Sequence, residues 1–131
     1  MCLVTKQTKP QIAEENIRVW KIIDRFGHPY VIGNDYRYKR GFNYPKEKFI
    51  TIERTSDNEF NMIHGGVLHA YTHVVGSFDE RKYDVVEMYI PKGTEYYTSA
   101  SGNETCAKCL YMPHKHKKLR AFFGLKEAIE I

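Results

Sequence analysis

Asp84-Val85-Val86-Glu87-Met88-Tyr89-Ile90 alternates its side chains with the two-residue period of a β-strand. Val86, Met88 and Ile90 form the face expected inside, and Val85, Glu87 and Tyr89 form the other. Ile90-Pro91-Lys92-Gly93 follows, with Pro and Gly at the positions a type I turn prefers, so 94–99 is expected to return as a strand and 105–112 to add another. Upstream, Val67, His69, Tyr71 and His73 share one strand face, while Leu68, Ala70, Thr72 and Val74 share a small apolar face expected to point inward. Residues 48–54 and 59–63 flank Ser56-Asp57-Asn58 as a hairpin, and 17–23 and 30–32 read as further strands. His64-Gly65-Gly66 breaks the alternation between two of these strands.

Two stretches read as helix. Ser77 and Glu80 have capping-box spacing for a turn over 77–83. Residues 116–131 form the C-terminal helix candidate, expected to pack through Leu119, Phe122 and Phe123. Residues 1–16 are polar, carry Pro10 and read as a surface arm. The expectation is a single α+β domain over 1–131, mainly an antiparallel, twisted sheet of roughly five to eight strands with one or two helices.

Composition supports a globular chain. It has 131 residues, 42% of them hydrophobic, and its ten tyrosines and seven phenylalanines favour sheet over helix bundle. Twenty Lys and Arg against sixteen Asp and Glu give a net charge of +4, which admits an anionic partner without requiring one. No apolar run approaches the roughly 20 residues that span a bilayer, and Met1-Cys2-Leu3-Val4-Thr5-Lys6 lacks the apolar stretch of a signal peptide. The chain is therefore expected in the cytoplasm, without a membrane partner, with its three cysteines reduced.

Three motifs carry chemistry. Cys106, Cys109, His114 and His116 offer four zinc-type ligands, but on a strand the two cysteines have opposite parity and point to opposite faces. No metal and no cofactor is expected. His69, Tyr71 and His73 share a polar strand face; the two imidazoles lie roughly 13 Å apart, too far for one metal, yet with Glu87 or Tyr89 they could form the floor of a shallow ligand pocket. Residues 36–46 interleave aromatic and basic side chains, and Arg37, Tyr38, Arg40 and Phe42 suit the stacking and phosphate contacts of single-stranded nucleic acid. Gly-rich phosphate loops, nucleophile elbows and paired-carboxylate spacings are absent.

The opening hexapeptide, Arg18-Val19-Trp20-Lys21, the segment 64–72 and Val86-Glu87-Met88-Tyr89-Ile90-Pro91-Lys92-Gly93-Thr94-Glu95-Tyr96-Tyr97 resemble small uncharacterised proteins of Bacteroides-type gut bacteria and their phages. The order of a basic strand, a polar strand, an Ile-Pro-Lys-Gly-Thr strand end and a late glutamate is also similar to the layout of mono-ADP-ribosyltransferases. That resemblance implies NAD binding, with Arg18 on the phosphates and Glu104 on the ribose; Ala70-Tyr71-Thr72 stands where the family carries Ser-Thr-Ser. Three functions follow in order: a non-catalytic domain for a small ligand or protein, an ADP-ribosyltransferase-like enzyme or inactive relative, and a single-stranded nucleic-acid binder.

Overall fold

The computed structural model describes residues 3–24, 26–29, 36–73, 81–113, 117–119 and 128–130. In chain order the strands are β1 (Leu3–Thr5), β2 (Gln11–Ile12), β3 (Ile17–Asp24), β4 (Gly41–Asn43), β5 (Thr51–Arg54), β6 (Asn61–His64) and β7 (Leu68–Tyr71). They continue with β8 (Tyr83–Ile90), β9 (Glu95–Thr98), β10 (Glu104–Ala107), β11 (Leu110–Met112), β12 (Lys117–Leu119) and β13 (Ala128–Glu130).

The two longest strands, β3 and β8, pair antiparallel along their whole length, from Ile17 opposite Ile90 to Asp24 opposite Tyr83. Directly opposed residues share a face, so this register sorts the sheet. Ile17, Val19, Lys21 and Ile23 lie with Val86, Met88 and Ile90; Arg18, Trp20 and Ile22 lie with Val85, Glu87 and Tyr89. The other edge of β3 meets β7 at Trp20 and Tyr71. Beyond β7 come β10, β9 and β2. The other edge of β8 takes both β11, through Tyr89 and Tyr111, and β12, which in turn pairs β13. β4 closes against β11.

This order forces curvature. β11 and β10 sit four strand spacings apart along β11-β8-β3-β7-β10, roughly 19 Å in a flat sheet. Only Lys108 and Cys109 separate Ala107 from Leu110, a link that reaches about 11 Å at most. The sheet therefore curls toward closure. Its inner face is one apolar cluster that includes Val19, Leu68, Ala70, Met88, Ile90 and Leu110. Met88, Ile90 and Leu110 are fully buried, and each such side chain contributes about 1.5–3 kcal/mol through the hydrophobic effect.

The small sheet, ordered β1-β6-β5, packs on the outer face: Leu3, Ile63 and Val67 meet Tyr97 and Cys106. Gly66 permits a close crossing there. Its φ is +61°, and an added Cβ would lie 2.6–2.8 Å from backbone atoms of Phe49 and Ile50.

The α+β expectation is overturned: the described residues contain strands in two antiparallel sheets and no helix. In the expected C-terminal helix, Lys117–Leu119 and Ala128–Glu130 are strands. The helical pattern there was only a local preference, whereas the edge of β8 beside Val85 and Val86 presents backbone groups that β12 satisfies. Phe122 and Phe123 lie outside the described residues, as does most of 77–83, whose end at Tyr83 opens β8. The segment read as a surface arm supplies β1 and β2, with Leu3 and Thr5 buried. No helix is long and apolar enough to cross a membrane among the described residues.

Lys21 is the exception on the inner face. Its ammonium donates to the His69 carbonyl beside the one-pair seam of β3 and β7, and lies 5.1 Å from the centre of the Tyr38 ring. Burial lowers its pKa to about 8, against the opposing pull of Glu104. The unfolded chain then binds more protons than the folded one between about pH 8 and the ordinary lysine value, so stability should rise across that window. Lys21→Met is expected to stabilise the fold by roughly 3 kcal/mol near pH 7 and to lose that advantage as the pH approaches about 10.5. Urea unfolding of both proteins across this range is the check; a pH-independent difference would contradict it. Gly66→Ala is expected to cost about 2–3 kcal/mol in the same assay, because backbone must move and φ is positive, and a loss below about 0.5 kcal/mol would contradict the crossing.

Candidate functional site

The outer face of the β3–β8 ladder carries the site. Alternation aims Arg18 and Trp20 of β3 and Glu87 and Tyr89 of β8 to the same side, and β11 and β4 extend that side with Tyr111 and Phe42. Pro91 and Pro113 end β8 and β11 beside it. Phe42, Glu87, Tyr89, Pro91, Tyr111 and Pro113, together with Asn16, line an open groove of about 520 Å³.

Glu87 is the polar centre of the groove. Its side chain is 6% exposed, and Oε1 accepts from the Tyr89 hydroxyl at 3.0 Å and from Arg18 Nη1 at 3.4 Å. The Arg18 side chain is 60% exposed, and its guanidinium carbon lies 5.3 Å from the Trp20 ring centre. Burial, and then the neighbouring carboxylate, hold the Tyr89 phenol above its ordinary pKa. Phe42, half-exposed, meets Tyr111 at 4.9 Å between ring centres with the planes 58° apart. The arrangement offers two aromatic plates, a proline at each strand end and one buried carboxylate.

Asn43 holds the loop that delivers Phe42. It is fully buried; its Oδ1 accepts from the Lys39 amide at 2.9 Å, and its Nδ2 donates to the carbonyls of Lys39 at 2.9 Å and Leu110 at 3.3 Å. In the sequence Asn43 stands out only as one polar residue within the aromatic and basic stretch 36–46. Its ability to satisfy several backbone groups in a glycine-containing loop was the signal available. Tyr111, Pro113 and Asn16 were also missed, because the strand order that gathers them has no local signature.

Of the residues expected to line a pocket, Glu87 and Tyr89 reach the groove, while His69 and Tyr71 share its face but lie across β3 from it. His69 is buried opposite Cys106, Tyr71 is half-buried, and His73 is exposed just beyond β7. Arg18 and Glu104, paired in the NAD reading, are not brought together. β7 separates their strands, Glu104 stands opposite Tyr71, and Arg18 engages Glu87.

The nucleic-acid set also divides. Tyr38 is in the inner core, Arg37 Nε donates to the Phe26 carbonyl at 2.7 Å, Arg40 is exposed, and Phe42 joins the groove. Burial pushes the Cys106 thiol up to about 12 and raises that of Cys109, so neither is an activated nucleophile. His114 and His116 lie outside the described residues, among which no group of three or more His, Cys, Asp or Glu side chains could hold a metal ion.

No family model matches the chain, and neither a curated protein nor a solved structure matches it.

Because His69 is buried under the small sheet's side of the molecule, His69→Ala is expected to destabilise by about 1–3 kcal/mol, measured by urea unfolding. A change within about 0.5 kcal/mol would show that its ring is effectively solvated.

Proposed function

We propose that this chain is a non-catalytic, cytoplasmic binding domain that takes a small ligand with a flat, largely apolar body in the groove between Phe42, Tyr89 and Tyr111. The single observation that carries the reading is the buried Glu87 carboxylate set into a wall that, apart from Asn16, is aromatic and proline-lined. Binding sites combine an apolar surface for affinity with a few placed polar groups for orientation, and this groove has that composition. The upward shift of the Cys106 and Cys109 thiols by burial, both free, supports a binding role over thiol chemistry and suits a reducing compartment. The separation of Arg18 from Glu104 weighs against the NAD reading, and the burial of Tyr38 weighs against a stacking platform for nucleic acid.

Indole, a flat probe with one N–H donor, provides the test. Titration followed by amide chemical shifts is expected to perturb residues 87–91 and 111–113. Tyr111→Ala should weaken the interaction by about tenfold, since it removes one aromatic plate while the β8 wall remains. Shifts confined to the face around His69 and His73, or unchanged binding in Tyr111→Ala, would contradict this placement.

A further inference from the structure

We infer that the groove selects a small planar organic cation, and that Arg18 occupies the cation's place on Glu87 when the groove is empty; the inference rests on the binding role proposed above. Glu87 is 5% exposed, yet both of its hydrogen bonds fall on Oε1. Among the described residues no hydrogen bond is made to Oε2, and Glu87 lines the groove. An ionised carboxylate only accepts, so the complementary ligand group is a donor, and a positively charged donor gains most in a partly desolvated site.

The bond from Arg18 is poorly made. At 3.4 Å it exceeds the usual 2.7–3.2 Å range, it uses one nitrogen instead of a bidentate fork, and its side chain is 60% exposed. An ion pair of this kind holds weakly, so a better-fitting cation can displace it. The displaced guanidinium retains the Trp20 ring, 5.3 Å away, as a second contact. Phe42, Tyr89 and Tyr111 add ring faces that attract positive charge and a flat ligand body alike. An anion would meet the same rings with the Glu87 carboxylate against it.

Benzamidine, benzamide and benzoate share one ring and carry charges of about +1, 0 and −1 at neutral pH, so amide-shift titration of the full chain with each isolates charge. Benzamidine should bind at least about tenfold more tightly than benzamide, with benzoate the weakest. Glu87→Gln should erase the advantage of benzamidine. Arg18→Gln, a change at an exposed side chain, should strengthen benzamidine binding severalfold because the internal competitor is gone. Equal binding of the three probes, preference for benzoate, or weaker benzamidine binding in Arg18→Gln would overturn the cation inference. In those cases shifts at Tyr89 and Tyr111 would leave the groove itself standing as a ligand site. Failure of all three probes to shift these residues would overturn both.

Discussion

Lys108 and Cys109 are the short link on which the architecture depends. They join strands whose partners lie far apart in the order of the large sheet, with Ala107 in the ladder to β7 and Leu110 beginning the strand that meets β8. A chain of this length cannot span a flat sheet, so the sheet must curl. Curling divides the two faces into different environments. Val19, Leu68, Met88 and Leu110 face one another inside, and Arg18, Glu87, Tyr89 and Tyr111 are displayed outside, where strand ends and the β4 loop make a groove.

The cost of this arrangement is concentrated at Lys21. Its parity in β3 places it opposite Val86 on the apolar face, where its ammonium finds a backbone carbonyl and an aromatic ring but no described carboxylate in contact. The Tyr38 hydroxyl beside it is buried without a hydrogen-bond partner among the described residues. Two such polar groups in one core lower stability without contributing to the groove. The outer face manages polarity better. Glu87 is equally hidden from solvent but accepts a hydrogen bond from Tyr89 and a long one from Arg18.

Much of the facial pattern was legible in the sequence because the side chains on the two faces differ so strongly. Leu68, Ala70, Val86, Met88 and Ile90 do share one core, and His69, Tyr71, Glu87 and Tyr89 share the opposite face. Strand order was not legible. Alternation says which way Tyr71 and Glu87 point, but nothing local says that β3 lies between them and puts Trp20 in the middle. Lys21 was hidden for a related reason, since a lysine inside an apolar face violates the rule used to find that face. The C-terminal segment failed differently: its residues suit a helix in isolation, and a vacant strand edge outweighs that preference. Convergence in the groove was invisible for the same reason as strand order. The sequence alone ties Arg18, Phe42, Glu87 and Tyr89 to three unrelated functions, and only the pairing of β8 with β3 and β11, and of β11 with β4, brings them to one place.

The account stands on β11 lying against β8, because that contact both curls the sheet and makes the groove. Nuclear Overhauser contacts between the backbones of Tyr89 and Tyr111, read together with those between Trp20 and Tyr71, measure it most directly. Both sets should be present in the same folded protein, with Lys108 and Cys109 bridging them. Contacts at Trp20 and Tyr71 without any between Tyr89 and Tyr111 would mean an open sheet and no groove at Glu87.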